Sequence, residues 1–110
     1  MVVDTSPFKS LYPFDSNFYD LGGLKYHYLD EGKDDSDKNA AVVMVHGNPT
    51  WSFYYRNLVT AVRENHRVIV PDHIGCGLSE KPQDYSYTLK QHTDNLEALI
   101  EHLGIERVTL

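Results

Sequence analysis

From Asn17 onward the apolar and polar positions fall into successive periods. Phe18-Tyr19-Asp20-Leu21 and Leu24-Lys25-Tyr26-His27-Tyr28-Leu29 are runs rich in β-forming residues, separated by Gly22-Gly23. A glycine pair supplies the positive φ of a tight turn, so these runs predict an antiparallel hairpin. Ala40-Ala41-Val42-Val43-Met44-Val45 shows no alternation, the pattern of a strand covered on both faces in a parallel sheet. Arg67-Val68-Ile69-Val70 repeats that pattern, and Arg107-Val108-Thr109-Leu110 predicts a third buried strand.

The segments between these strands have helical spacing. From Ser52 to about Arg63, Phe53, Leu58, Val59 and Val62 can share one helical face. A second helix opens at Thr88, which forms a capping box with Gln91. Its apolar stripe is Leu89, Leu96, Leu99, Ile100 and Leu103, and Gly104 is placed as its C-terminal cap. The order is hairpin, strand, helix, strand, helix, strand. This is an α/β fold, with an antiparallel hairpin leading into a mostly parallel sheet flanked by helices. Residues 1–16 carry aromatics and prolines without a sustained period and are expected to be a lead-in arm to a domain over 17–110. A chain that stops within an apolar strand is expected to be the N-terminal portion of a longer domain. By itself it is expected to expose the strand edge at Val108, to aggregate and to show no turnover.

Composition narrows the function. The formal net charge is −6, with no basic stripe, which argues against a nucleic-acid partner. No apolar run is long enough to span a bilayer, and the first residues lack the basic start and apolar core of a secretory signal. A single cysteine, Cys76, suits a reducing compartment, so a cytoplasmic protein is expected. Oligomeric state is left open.

Ligands of open α/β sheets bind beyond the carboxyl ends of the strands, and two loops lie there. The first is His46-Gly47-Asn48-Pro49-Thr50-Trp51. Gly47 permits a sharp turn and close approach of backbone to ligand, Pro49 fixes φ, and Asn48 offers two side-chain donors. With the dipole of the following helix, the loop suits a developing negative charge. A plain turn capping a helix fits the same residues equally well.

The strand, His-Gly-x-Pro, helix arrangement resembles the loop of α/β hydrolases that holds one oxyanion N–H. Asn48 through Leu58, in the run Asn-Pro-Thr-Trp-Ser-Phe-Tyr-Tyr-Arg-Asn-Leu, is more specifically similar to the haloalkane dehalogenases and their relatives, including the β-lactone decarboxylases. The second loop, Pro71-Asp72-His73-Ile74-Gly75-Cys76-Gly77-Leu78-Ser79-Glu80-Lys81-Pro82, is similar to the Asp-x-x-Gly-x-Gly-x-Ser segment of that group. The likeness runs from about Leu11 onward. It implies a hydrolase in which an Asp nucleophile attacks carbon, a His activates water and an acid orients the His. Asn48 then takes the place of one leaving-group donor, and a Trp following the nucleophile supplies the other. Pro49 and Trp51 are candidate substrate-binding residues, the substrate is a small molecule, and neither a cofactor nor a metal is implied. In the decarboxylases the same constellation opens a β-lactone and releases an alkene. The nucleophile, base and acid fall outside these residues. An epoxide hydrolase, a serine ester hydrolase of the same fold, or a non-catalytic binding protein are the alternatives.

Other candidates read as structural. His46 belongs to the oxyanion loop rather than serving as a general base. Asp72 is expected to fix its loop by accepting turn N–H groups. His27, His66, His92 and His102 are expected at the surface or partly buried, without metal spacing. Gly75-Cys76-Gly77-Leu78-Ser79 matches neither a dinucleotide fingerprint nor a serine elbow, and Cys76 has no nucleophile arrangement around it. The acidic run Lys33–Asn39 is read as a solvated loop rather than a calcium site.

Overall fold

Five strands make one mixed sheet in the computed structural model, which describes residues 4–32, 39–48 and 50–110. They are β1 (Asn17–Leu21), β2 (Leu24–Glu31), β3 (Ala40–Val43), β4 (Val68–Pro71) and β5 (Arg107–Thr109), in the spatial order β1-β2-β4-β3-β5. β1, β2 and β4 pair antiparallel, and β3 lies parallel between β4 and β5. Two α-helices, α1 (Arg56–Val62) and α2 (Leu89–His102), and two short 3₁₀ turns, Ser6–Phe8 and Ser52–Tyr55, complete the described elements. The predicted architecture is therefore the one observed. The charged run at 33–38 lies outside the described residues.

The hairpin turns where the glycine pair stands. Gly22 and Gly23 have φ of 57° and 95°, and the Gly23 N–H donates to Asp20 Oδ1 at 2.6 Å. Two consecutive positive φ values define a turn whose twist matches the flanking strands.

The unbroken apolar runs are explained by cover on both faces. Val68 and Val70 of β4 pack with Tyr12, Phe14, Leu29, Met44 and Val59 on the α1 side. Ile69 between them packs with Tyr26, Val43, Ile74 and Leu99 on the α2 side. Each such fully buried aliphatic side chain contributes about 1.5–3 kcal/mol. Tyr12 and Phe14 bring the lead-in segment into the core, where the Tyr12 ring meets Phe14 edge-on at 5.1 Å and Trp51 at 5.5 Å.

Several local expectations are corrected. The segment from Ser52 begins as a 3₁₀ turn, Ser52–Tyr55, before α1, and Leu58 is half exposed while Val59 is fully enclosed. β5 is exposed at all three residues, because it forms the sheet edge. Leu89 stands out at the start of α2, 84% exposed, and leaves Leu99 with its half-buried neighbours to carry the stripe. Thr88 Oγ1 caps α2 by accepting from Gln91 N at 3.1 Å, but the Gln91 amide turns to Asn95 Oδ1 instead of returning to Thr88. At the other end, Gly104 N donates to Glu101 O and Ile105 N to Ile100 O, the paired bonds of a Schellman cap. His27, expected near the surface, is fully buried in β2.

Candidate active site

β3 and β4 are parallel neighbours, so the chain leaves both at the same end of the sheet and the two candidate loops emerge side by side. After β3 the first loop closes a turn, Thr50 N donating to Gly47 O at 3.0 Å and Thr50 Oγ1 to the same oxygen at 2.8 Å. His46 Nδ1 donates to that carbonyl as well, at 2.7 Å. Asn48, held within this turn, is exposed. Gly47 has no positive φ and open space where a Cβ would stand, so nothing among the described residues requires a glycine there. The helix dipole is not at this loop, because α1 starts only at Arg56, beyond the 3₁₀ turn.

Asn48 and His46 line two adjoining hollows of about 510 and 270 Å³. His73 and Gly75 enter from the loop after β4, and Leu89 and His92 from the start of α2. Pro49 lies outside the described residues. Trp51 is half-buried in the aromatic cluster, its ring stacked on Phe53 at 5.4 Å, and it does not line either hollow.

Asp72 fixes both loops. Its Oδ1 accepts from Ser52 N at 2.6 Å, and its Oδ2 from Leu78 N at 3.1 Å and from His27 Nδ1 at 2.9 Å. Burial alone would push this carboxyl up, but the His27 hydrogen bond and charge and the two backbone donors hold it below the usual carboxylate value. The Ser79 hydroxyl donates to the Asp72 carbonyl and accepts from His27 N, stitching the second loop to β2. Gly77, at φ 52°, lies against Asp72 and Trp51 so closely that a Cβ would stand 2.7 Å from each.

The histidines are arranged in a way their spacing did not suggest. His73 N donates to His46 Nε2 at 3.0 Å, and His73 Nε2 donates to His46 O at 3.2 Å. The ring centroids of His46 and His73 are 4.3 Å apart, and His92 of α2 stacks on His73 at 4.6 Å. Burial, reinforced by His46 and His92, pushes His73 down to about 4. His73 was passed over in the sequence, and its signal is topological: it follows β4 as His46 follows β3. Cys76 has its thiol pushed up by burial and by Asp72, against the opposing effect of Lys81, so a thiolate is disfavoured. Among the described residues no group of three or more His, Cys, Asp or Glu side chains is disposed to hold a metal ion. No helix among them is long and apolar enough to cross a membrane.

Comparison with known proteins agrees with this geometry. A family model described as alpha/beta hydrolase fold matches residues 40–110. The cis-3-alkyl-4-alkyloxetan-2-one decarboxylase of Shewanella oneidensis is 55% identical over 104 residues, covering 92% of this chain and 31% of that protein. Haloalkane dehalogenase 2 of Mycobacterium bovis is 38% identical over 107 residues, covering 97% of this chain and 36% of that protein. The solved tetrameric haloalkane dehalogenase DpaA of Paraglaciecola agarilytica NO2 superposes with a TM-score of 0.84 at 36% identity, covering 100% of this chain and 39% of that one. The chain thus spans about a third of the length of the curated relatives it matches. Its sheet order, its two loops and these likenesses agree: the chain belongs to the α/β-hydrolase fold family and is similar, within it, to haloalkane dehalogenases and oxetanone decarboxylases.

Proposed function

We propose that the complete gene product carrying this chain is a haloalkane dehalogenase-like enzyme with an Asp nucleophile, and that it opens a β-lactone of the 3,4-dialkyl-oxetan-2-one type. The observation that carries the reading is Asn48, an exposed amide at the carboxyl end of β3, lining a hollow of about 510 Å³. The Asn48 amide has no hydrogen-bond partner among the described residues, so its donors are free for a ligand. A preorganised amide lining such a hollow stabilises charge that develops on a substrate oxygen or on a departing halide. In an oxetan-2-one that charge grows on the ring oxygen as its bond to C4 breaks. The Asp carboxylate takes the ring oxygen's place on C4, and cleavage of the C2–C3 bond then releases carbon dioxide as the C3=C4 alkene forms and the C4–O bond to the Asp breaks, returning the free carboxylate. The nucleophile, the base and its acid are assigned to residues outside these 110.

The lactone is preferred because identity to the oxetanone decarboxylase is 55%, against 38% to the dehalogenase. Haloalkane cleavage is the second reading, favoured by the fit to the dehalogenase structure. Both place a small molecule beside Asn48, with Pro49 as a further substrate-side residue and no cofactor. The single cysteine and acidic charge fit a cytoplasmic enzyme.

Incubating the complete gene product with a cis-3,4-dialkyl-oxetan-2-one and following alkene by gas chromatography tests the assignment. Alkene release is expected. Halide release from a bromoalkane without alkene formation would move the assignment to the dehalogenases. Activity on neither, or a Gly-x-Ser-x-Gly elbow in the complete gene, would sink it.

A further inference from the structure

The proposed chemistry leaves His73 without a role, yet its side chain ties the two loops beside Asn48. β3 and β4 end side by side, and His73 bridges them at two points. Its backbone N–H reaches His46 Nε2 and its own Nε2 reaches the His46 carbonyl. A carbonyl only accepts, so Nε2 of His73 carries the proton. His46 Nε2 accepts an N–H, so the His46 proton sits on Nδ1, where it donates to Gly47 O. That carbonyl also takes both Thr50 donors and closes the turn holding Asn48. The bonds form one path, from His73 through His46 and Gly47 to the Asn48 turn.

We propose that His73 is a positioning residue for Asn48, bracing the oxyanion loop through His46 and fixing where the Asn48 amide stands. This rests on the reading of Asn48 as the leaving-group donor. The brace works as a neutral imidazole, because His73 Nδ1 is buried without a partner and a proton there would find no acceptor. The titratable groups around it are His46 from the loop after β3, His92 from α2, and Asp72 beside it in the chain. Cys76, Lys81 and Tyr87 line the same hollow. Burial, then the charges of His46 and His92, oppose a charge on His73, while the bond to the His46 backbone and Asp72 favour one, and the balance leaves it depressed to about 4.

The test compares His73→Leu and His73→Gln in the complete gene product, with kcat and KM measured separately. The Leu ring substitute fills the site without a donor, whereas the Gln amide reaches the same carbonyl. His73→Leu is expected to lower kcat about tenfold with little change in KM, and His73→Gln to recover most of the loss. In parallel, the Asn48 side-chain amide resonances in a ¹⁵N-labelled sample should shift in the Leu variant and return in the Gln variant. Should His73→Leu fail to fold, His73→Asn, whose amide stops short of the carbonyl, replaces it with the same expectation. Wild-type kcat together with unmoved Asn48 resonances would overturn the proposal. The resonances also separate the two readings: if Asn48→Ala leaves turnover intact the donor role fails, and the brace is still judged by whether the Asn48 signals move.

Discussion

His27 Nδ1 stands 2.9 Å from Asp72 Oδ2, with both side chains wholly enclosed. β2 and the loop after β4 are joined there through a carboxylate that also accepts Ser52 N and Leu78 N. A buried carboxylate with donors on both oxygens is stable only while every donor remains. Asp72→Asn keeps the shape but turns an amide N–H₂ toward a donor. It is expected to cost about 3 kcal/mol in urea unfolding, and a loss below about 1 kcal/mol would contradict this account.

Stability should fall on mild acidification. Burial pushes both His73 and His92 below the ordinary 6.5, His73 to about 4. Between those values the unfolded chain binds protons that the folded chain refuses, so stability rises with pH through that window. It is fully present above about pH 6.5 and is lost progressively toward pH 4. Asp72, held below its ordinary 3.8, adds a loss only at still lower pH. Melting temperatures taken across this range should slope accordingly, and His73→Gln should flatten the slope.

Asn48→Ala separates chemistry from folding. The side chain is exposed and unpaired among the described residues, so the melting temperature should be unchanged. Removing one oxyanion donor lowers turnover by about 100-fold in comparable sites. Equal turnover in the variant and the parent would remove Asn48 from the mechanism.

Gly77→Ala should be costly for two separate reasons. The residue sits at φ 52°, and the new Cβ would meet Asp72 Cγ and Trp51 Cβ at 2.7 Å. A left-handed backbone disfavours alanine by about 1–2 kcal/mol before the clash is counted. A destabilisation of about 2 kcal/mol or more is expected, read by denaturant midpoint, and a neutral result would mean that the loop relaxes freely.

The cap of α2 gives a paired comparison. Thr88→Ala removes the acceptor for Gln91 N and should cost about 1 kcal/mol. Gln91→Ala loses only the side-chain bond to Asn95, worth about 0.2–0.5 kcal/mol. Equal losses would imply the reciprocal capping bond that is absent here.

Residue pattern alone determined the hairpin at Gly22-Gly23, the two covered strands β3 and β4, the Thr88 start of α2 and the Asn48 loop. Each is dictated by contacts within a few residues or by a periodicity that burial imposes on the chain itself. The exposure of the β5 edge at Val108 was expected, but that of Leu89 was not legible, because apolar residues at the right spacing do not reveal whether anything lies against them. Nor was the 3₁₀ form in which the Ser52 segment begins, where Tyr12 Oη bonds Ser52 Oγ at 2.7 Å and Asp72 holds Ser52 N. Those partners lie 40 and 20 residues away in the chain. The burial of His27 and the His46–His73 brace were decided in the same way, by β2, β3 and β4 lying together. Hydrogen bonds between residues remote in sequence exist only after the sheet has assembled, so only the tertiary structure could supply them.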